Sequence, residues 1–62
     1  MTRYGANIYY KDSSIQTDRR ISSNDFVRLI NLVAMTVDQL TIGGYEITAI
    51  TFDRDGEKME VA

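Results

Sequence analysis

A chain of 62 residues with neither cysteine nor histidine must hold its fold by packing alone. No disulfide can form, and zinc sites of the Cys/His type are excluded. A chain this short buries only about 60% of the surface that its unfolded form exposes. Ordering costs about 1.5 kcal/mol per residue, which takes up most of the hydrophobic gain. Small domains answer this with a staple or a second chain, and this composition leaves oligomerisation, or else an unusually well-formed monomer core. The length sets one domain over residues 1–62. The absence of cysteine fits a reducing compartment. The start, Met1-Thr2-Arg3-Tyr4-Gly5, lacks the apolar stretch of a signal peptide. No apolar run reaches the length that spans a bilayer. The expectation is a cytoplasmic protein away from the membrane.

Periodicity divides the chain into five elements. Tyr4–Tyr10 alternates, with Tyr4, Ala6, Ile8 and Tyr10 on one face and Gly5, Asn7 and Tyr9 on the other. Lys11-Asp12-Ser13-Ser14 is a polar turn. Ile15–Ile21 alternates again, Ile15, Thr17, Arg19 and Ile21 against Gln16, Asp18 and Arg20, which predicts a hairpin partner for the first strand. Ser22 is placed to cap a helix with Asp25 three residues on, a relative of the capping box, and Ile21 and Phe26 fall at the positions of a hydrophobic staple. The helix is expected to run to about Leu40 or Thr41, stopped by Gly43-Gly44. Phe26, Leu29, Ile30, Val33, Val37 and Leu40 form the stripe expected to cover a sheet. Leu32 and Met35 fall on the opposite side, beside Arg28 and Gln39, while Val27 and Ala34 widen one flank. Tyr45–Phe52 is a strand rich in β-branched residues. Asp55-Gly56 suits a two-residue type I′ turn into Met59–Val61, pairing Phe52 with Met59, Ile50 with Val61 and Asp53 with Lys58. The fold class is α+β: a small antiparallel sheet in ββαββ order with one helix packed across it. The order of the strands within the sheet stays open.

Little in the chain suits catalysis. The usual general base of a nucleophilic triad, histidine, is missing. The serines Ser13, Ser14, Ser22 and Ser23 occupy turn or cap positions. Gly43-Gly44 follows a helix rather than opening one, so it is no phosphate loop. Asp53–Glu57 echoes part of a calcium loop but lacks its closing bidentate glutamate. The expectation is a protein that is not an enzyme and needs no cofactor or metal. Arg19-Arg20 with Tyr4, Tyr9 and Tyr10 could instead make a basic aromatic face for single-stranded nucleic acid, although the net charge of −2 speaks against a general nucleic-acid binder. That charge is uneven. Residues 1–37 carry five basic and three acidic side chains, and residues 38–62 carry two basic and six acidic, Glu46 among them. An acidic end suits a basic partner surface. Leu32 and Met35, as outward-facing apolar residues on a helix, point to a dimer or partner interface.

The order strand, strand, helix, strand, with Ile21-Ser22-Ser23-Asn24-Asp25-Phe26 opening the helix, resembles the small homodimeric uracil-DNA glycosylase inhibitors of Bacillus phages. That resemblance implies a non-catalytic, acidic DNA mimic that blocks the DNA-binding face of a host repair enzyme, with an apolar pocket at the dimer seam receiving the enzyme's protruding loop. In that family a Phe, the acid after it and a Tyr four residues beyond the Phe contribute to the inhibitory surface. Phe26 matches the Phe, while Val27 stands at the place of the acid and Ile30 at that of the Tyr. The expected partner-binding residues are therefore Phe26, Val27, Ile30, Leu32, Met35 and Glu46, and the expected partners are a bacterial uracil-DNA glycosylase and a second copy of the chain. Two other readings stand beside this one: an anti-defence protein directed at another bacterial nuclease or immune effector, and a single-stranded nucleic-acid-binding module.

Overall fold

The alternation of Tyr4, Ala6, Ile8 and Tyr10 puts a wholly apolar row on one side of the first strand, and that strand becomes the centre of the sheet. In the computed structural model, which describes residues 1–59, β1 (Tyr4–Asp12), β2 (Ile15–Ser23), β3 (Glu46–Arg54) and β4 (Glu57–Met59) form one antiparallel sheet in the order β2-β1-β3-β4. The single helix α1 (Phe26–Ile42) links β2 to β3 and passes over β1 to do so. The ββαββ order is the one expected. Both hairpins read from the sequence form, with β1 running on through Lys11 and Asp12 so that the first turn is Ser13-Ser14 alone, and with β4 starting at Glu57 rather than Met59; the β1–β3 pairing that joins them supplies the strand order. The pairs Phe52–Met59 and Asp53–Lys58 form as anticipated, while the expected Ile50–Val61 pair lies outside the described residues. Between Tyr9 and Tyr10 the β1–β3 register shifts, so that Tyr9 faces Ala49 and Tyr10 faces Ile47. Gln16 bridges this irregularity, its side-chain amide donating to Tyr10 O and to Thr48 Oγ1, both at 3.2 Å.

The helix begins three residues later than the Ser22 cap would place it. Ser22 and Ser23 remain in β2, paired with Gly5 and Tyr4. Asp25 is the N-cap: its backbone is extended, and its Oδ1 accepts from Val27 N at 3.0 Å and Arg28 N at 3.4 Å. Ser23 supports the cap by accepting from Asp25 N at 3.2 Å. The staple between Ile21 and Phe26 loses its basis, because Phe26 is the first helical residue rather than the fourth. Phe26 instead joins an aromatic cluster, its ring centroid 5.3 Å from that of Tyr4 and 6.2 Å from that of Phe52. At the other end Tyr45 N donates to Leu40 O and Gly44 N to Thr41 O, with Gly44 at φ +88°. That is a Schellman ending, and it gives the Gly43-Gly44 stop a geometry in which the second glycine takes the left-handed conformation.

The core is small. Among the described residues, Ala6, Ile8, Leu29, Val33 and Leu40 are the buried apolar ones, and only Ile8 and Leu29 are large side chains wholly removed from water. Tyr4, Tyr10, Ile21, Phe26, Val37, Ile47 and Phe52 pack around them half-buried. Truncating a buried leucine costs about 2–5 kcal/mol, much of the 5–15 kcal/mol that a typical domain holds in total.

Both hairpins close through two-residue loops, and both loops have two residues at positive φ. Asp55 at 51° and Gly56 at 85° are residues that accept this conformation. Ser13 at 51° and Ser14 at 81° are not favoured there. Replacing Ser14 with Gly is expected to stabilise the protein by about 0.5–1 kcal/mol, since relief of left-handed strain outweighs the added freedom of the unfolded chain. A calorimetric scan should show the midpoint rising by several degrees, given about 4–8 °C per kcal/mol at this chain length. An unchanged or lower midpoint would show that the loop carries no strain.

Candidate interaction surface

A helix over a sheet can hide only the part of its circumference that faces the strands, and α1 carries more apolar residues than that part can hold. Leu29, Val33 and Leu40 define its inner line. Phe26 lies on the side that reaches Phe52 of β3. On a wheel of about 3.6 residues per turn, Ile30, Ala34 and Val27 continue outward from Phe26 on that same side. Val27 is 69% and Ile30 40% exposed, and Ala34 is exposed as well. Ile30 was expected to cover the sheet; it does so only at its margin, because the buried line is centred on Leu29, Val33 and Leu40. Leu32 was expected to face away. It is half-buried instead, on the opposite flank of the buried line. Met35 does face outward, 58% exposed.

Two further exposed apolar residues were not singled out from the sequence. Ile42, the last helical residue, is 86% exposed, and ending the helix at Thr41 hid its outward position. Ile50 pairs with the fully buried Ile8 yet is 38% exposed, because the helix leaves part of β3 uncovered. Among the expected partner-binding residues, then, Phe26, Val27 and Ile30 lie together on one side of the helix, with Phe26 engaged in the aromatic cluster. Met35 stands on the outer ridge and Leu32 on the far flank. Glu46 is apart from all of these: it pairs with Lys11 in β1, near the far end of the sheet from Phe52.

The sheet face away from the helix is polar and carries the one strong ion pair among the described residues. Arg20 of β2 reaches across β1 to Asp53 of β3, Nη1 to Oδ2 at 2.7 Å and Nη2 to Oδ1 at 3.0 Å. This two-pronged contact passes over Gly5. A Cβ built there would overlap the Arg20 guanidinium and come within 2.8 Å of Asp53 Oδ1. The two hydrogen bonds from Arg20 hold the Asp53 carboxyl below its ordinary range, and Asp53 in turn raises Arg20. Asp55 is also committed internally: its Oδ1 accepts from Arg3 N at 2.8 Å and its own N donates to Arg3 O at 2.7 Å. Two of the carboxylates that make the C-terminal third acidic thus serve the fold.

The tyrosines and arginines do not gather into one basic aromatic face. Tyr4 packs on Phe26, and Tyr10 meets Tyr45 edge-on at 5.4 Å, both on the helix side of the sheet. Tyr9 alternates to the other side. Arg20 is tied to Asp53, and Arg19 points the opposite way along the strand. A shallow concavity of about 290 Å³ lies between Asn7, Tyr9, Thr51, Phe52, Asp53, Gly56 and Lys58. No group of three or more His, Cys, Asp or Glu residues able to hold a metal ion occurs among the described residues, and no helix is long and apolar enough to cross a membrane.

Comparison with protein-family models, curated proteins and solved structures finds no match to this chain. The surface itself is therefore the ground for a functional reading.

The Arg20–Asp53 contact has a pH signature. The folded-state pKa of Asp53 is depressed, so its contribution is present above the unfolded carboxylate value of about 3.9 and is lost as pH falls through the lower folded value. With the Arg20 side chain half exposed, Asp53→Asn should cost no more than about 1 kcal/mol at neutral pH. Denaturant curves of the variant and the original protein should converge as the pH drops below the Asp53 transition. Curves that stay parallel down to that pH would remove the ion pair as the cause.

Proposed function

We propose that this chain is a non-catalytic protein-binding domain that acts by occluding its target, and that the target is a host DNA-processing enzyme, with uracil-DNA glycosylase the specific candidate. The observation that carries the reading is the set of large apolar side chains left in water on α1, namely Val27, Ile30, Met35 and Ile42. Apolar side chains exposed along one helix offer a surface that a partner can cover. The choice of target comes from the resemblance to the phage glycosylase inhibitors in element order and in the Asp25-Phe26 helix opening.

The interaction differs in kind from one built on acidic mimicry alone. Asp25, Asp53 and Asp55 are bonded within the fold, which leaves Asp12, Asp18, Asp38, Glu46 and Glu57 without a side-chain hydrogen bond or ion pair among the described residues. Apolar contact from the helix then supplies most of the affinity, and the remaining carboxylates bias orientation and association rate.

Titrating the protein into a uracil-excision assay with bacterial glycosylase tests this directly. Excision is expected to fall stoichiometrically and to stay inhibited at about 1 M salt, where the Debye length is about 3 Å and exposed charges are screened. Met35→Glu and Ile42→Glu, at exposed positions, should each weaken inhibition by at least about tenfold, the equivalent of 1.4 kcal/mol. Full excision at large excess of protein would discard the glycosylase. Inhibition that vanishes in high salt but survives both substitutions would discard the apolar contact.

A further inference from the structure

We infer that the outer edge of β2, with the helix flank beside it, is a second interaction surface: it takes an extended peptide segment of another protein as an added strand, with an acidic side chain of that segment against Arg19 and apolar side chains on either side of it. This surface lies across the buried line of α1 from Val27 and Ile30, and it stands without the occlusion reading.

The first argument is the backbone. β2 ends the sheet order β2-β1-β3-β4, so one side of its nine residues has no neighbouring strand among the described residues. The Ser13-Ser14 loop has two residues, which makes Asp12 and Ile15 a hydrogen-bonded pair, and such pairs alternate along an antiparallel ladder. Ile15, Thr17, Arg19 and Ile21 therefore direct their amide and carbonyl groups to β1. Those of Gln16, Asp18, Arg20 and Ser22 point outward, and all four residues are exposed. Native sheets blunt such an edge with proline, a bulge or a very short strand. β2 has none of these and keeps one register against β1 from Ile15 to Ser23. A row of donors and acceptors at strand spacing fits the backbone of another strand, and strand addition is how such edges take up peptides.

The second argument is the side chains that would flank the added strand. On the helix side of β2, Ile15 is 69% exposed and Thr17 and Ile21 are half-buried. The helix packs on β2 with the flank opposite Phe26, where Leu32 is half-buried. Every second side chain of an added strand would stand on this side, which gives its apolar residues partners at both ends of β2.

The third argument is charge. Arg19 is the central residue of β2, and Arg28 lies on the Leu32 flank about one helical turn before it. Both are exposed, and neither side chain makes a hydrogen bond or ion pair among the described residues. Arg20, by contrast, is tied to Asp53 on the other face. The residue of an antiparallel strand opposite Arg19 forms a non-hydrogen-bonded pair, the kind whose side chains stand closer. A carboxylate there can take both prongs of the guanidinium. A second copy of β2 fits worse, because antiparallel pairing along its whole length sets Arg19 against Arg19. A nucleic-acid strand answers the arginines but not the alternating backbone donors and acceptors.

The probe is a synthetic peptide matching β2 in length, alternating valine and threonine, with glutamate in place of the central valine; a second peptide carries lysine there. Each is titrated into the full chain, isotope-labelled for amide hydrogen exchange by magnetic resonance. With the glutamate peptide, the amides of Gln16, Asp18, Arg20 and Ser22 should exchange at least about tenfold more slowly. The lysine peptide should bind at least about tenfold more weakly, and Arg19→Glu should reverse that preference. Asp18→Pro removes an outward donor and leaves the β1 ladder intact, so it should abolish binding while the circular dichroism spectrum stays unchanged. Outward amides that stay unprotected at the highest soluble peptide concentration overturn the proposal, and so does binding indifferent to the central charge. Protection by oligothymidylate but not by the glutamate peptide would make the edge a phosphate site. Protection without any peptide, in a species of two chains, would give the edge to a second copy. Either result also overturns the proposal. Should Arg19→Glu fail to fold, the two peptides on the unaltered chain still decide. No glycosylase is present, so failure here leaves the inhibitor reading standing, and the reverse holds as well.

Discussion

The contact between the inner line of α1 and the central strand holds everything else in place. Leu29, Val33 and Leu40 meet Ala6 and Ile8 in a core with no other buried apolar residue among the described residues. Each hairpin alone would be marginal in water. They become one sheet because β1 pairs on both sides and because the helix, entering from β2 and leaving into β3, presses on the junction. Which helix residues face outward follows from that contact: once the inner line is fixed, Val27, Met35 and Ile42 have no strand left to cover them, and Ile30 reaches only the sheet's margin.

Much of this was legible in the sequence. The alternation at Tyr4–Tyr10, the β-branched run of β3 and the Asp55-Gly56 pair each state a local structure that needs no tertiary help. The helix start was misread because two cap candidates lie three residues apart. Ser22 satisfies the capping-box spacing, but its backbone is in use by Gly5 in the neighbouring strand, and only the paired sheet reveals this. Ile30 and Leu32 were assigned to the wrong environments for a related reason. A periodic stripe gives the direction of the buried face but not its width, and the width depends on how much of the sheet lies beneath. Strand order was silent because turn chemistry fixes the hairpins alone, whereas the β1–β3 pairing is made across the whole helix.

The structure also changes what the acidic composition means. Counting charges along the chain gives a C-terminal third fit to meet a basic groove. Following those charges into the fold shows Asp53 gripping Arg20 and Asp55 holding the backbone of Arg3. The apolar helix surface then becomes the feature to explain, and the target reading begins there.

The clearance over Gly5 has a consequence for how this sequence can vary. Arg20 and Asp53 stand on strands that are not neighbours, and they meet only because the residue between them has no side chain. The three positions form one coupled unit whose substitutions are not additive. A lineage that lost Arg20 or Asp53 first could then place almost any small side chain at position 5. One that changed Gly5 first would displace a guanidinium and strand a carboxylate in a single step. The order of change is therefore constrained: Gly5 follows Arg20 or Asp53 rather than leading them, and variation at position 5 should appear only where the ion pair has already gone.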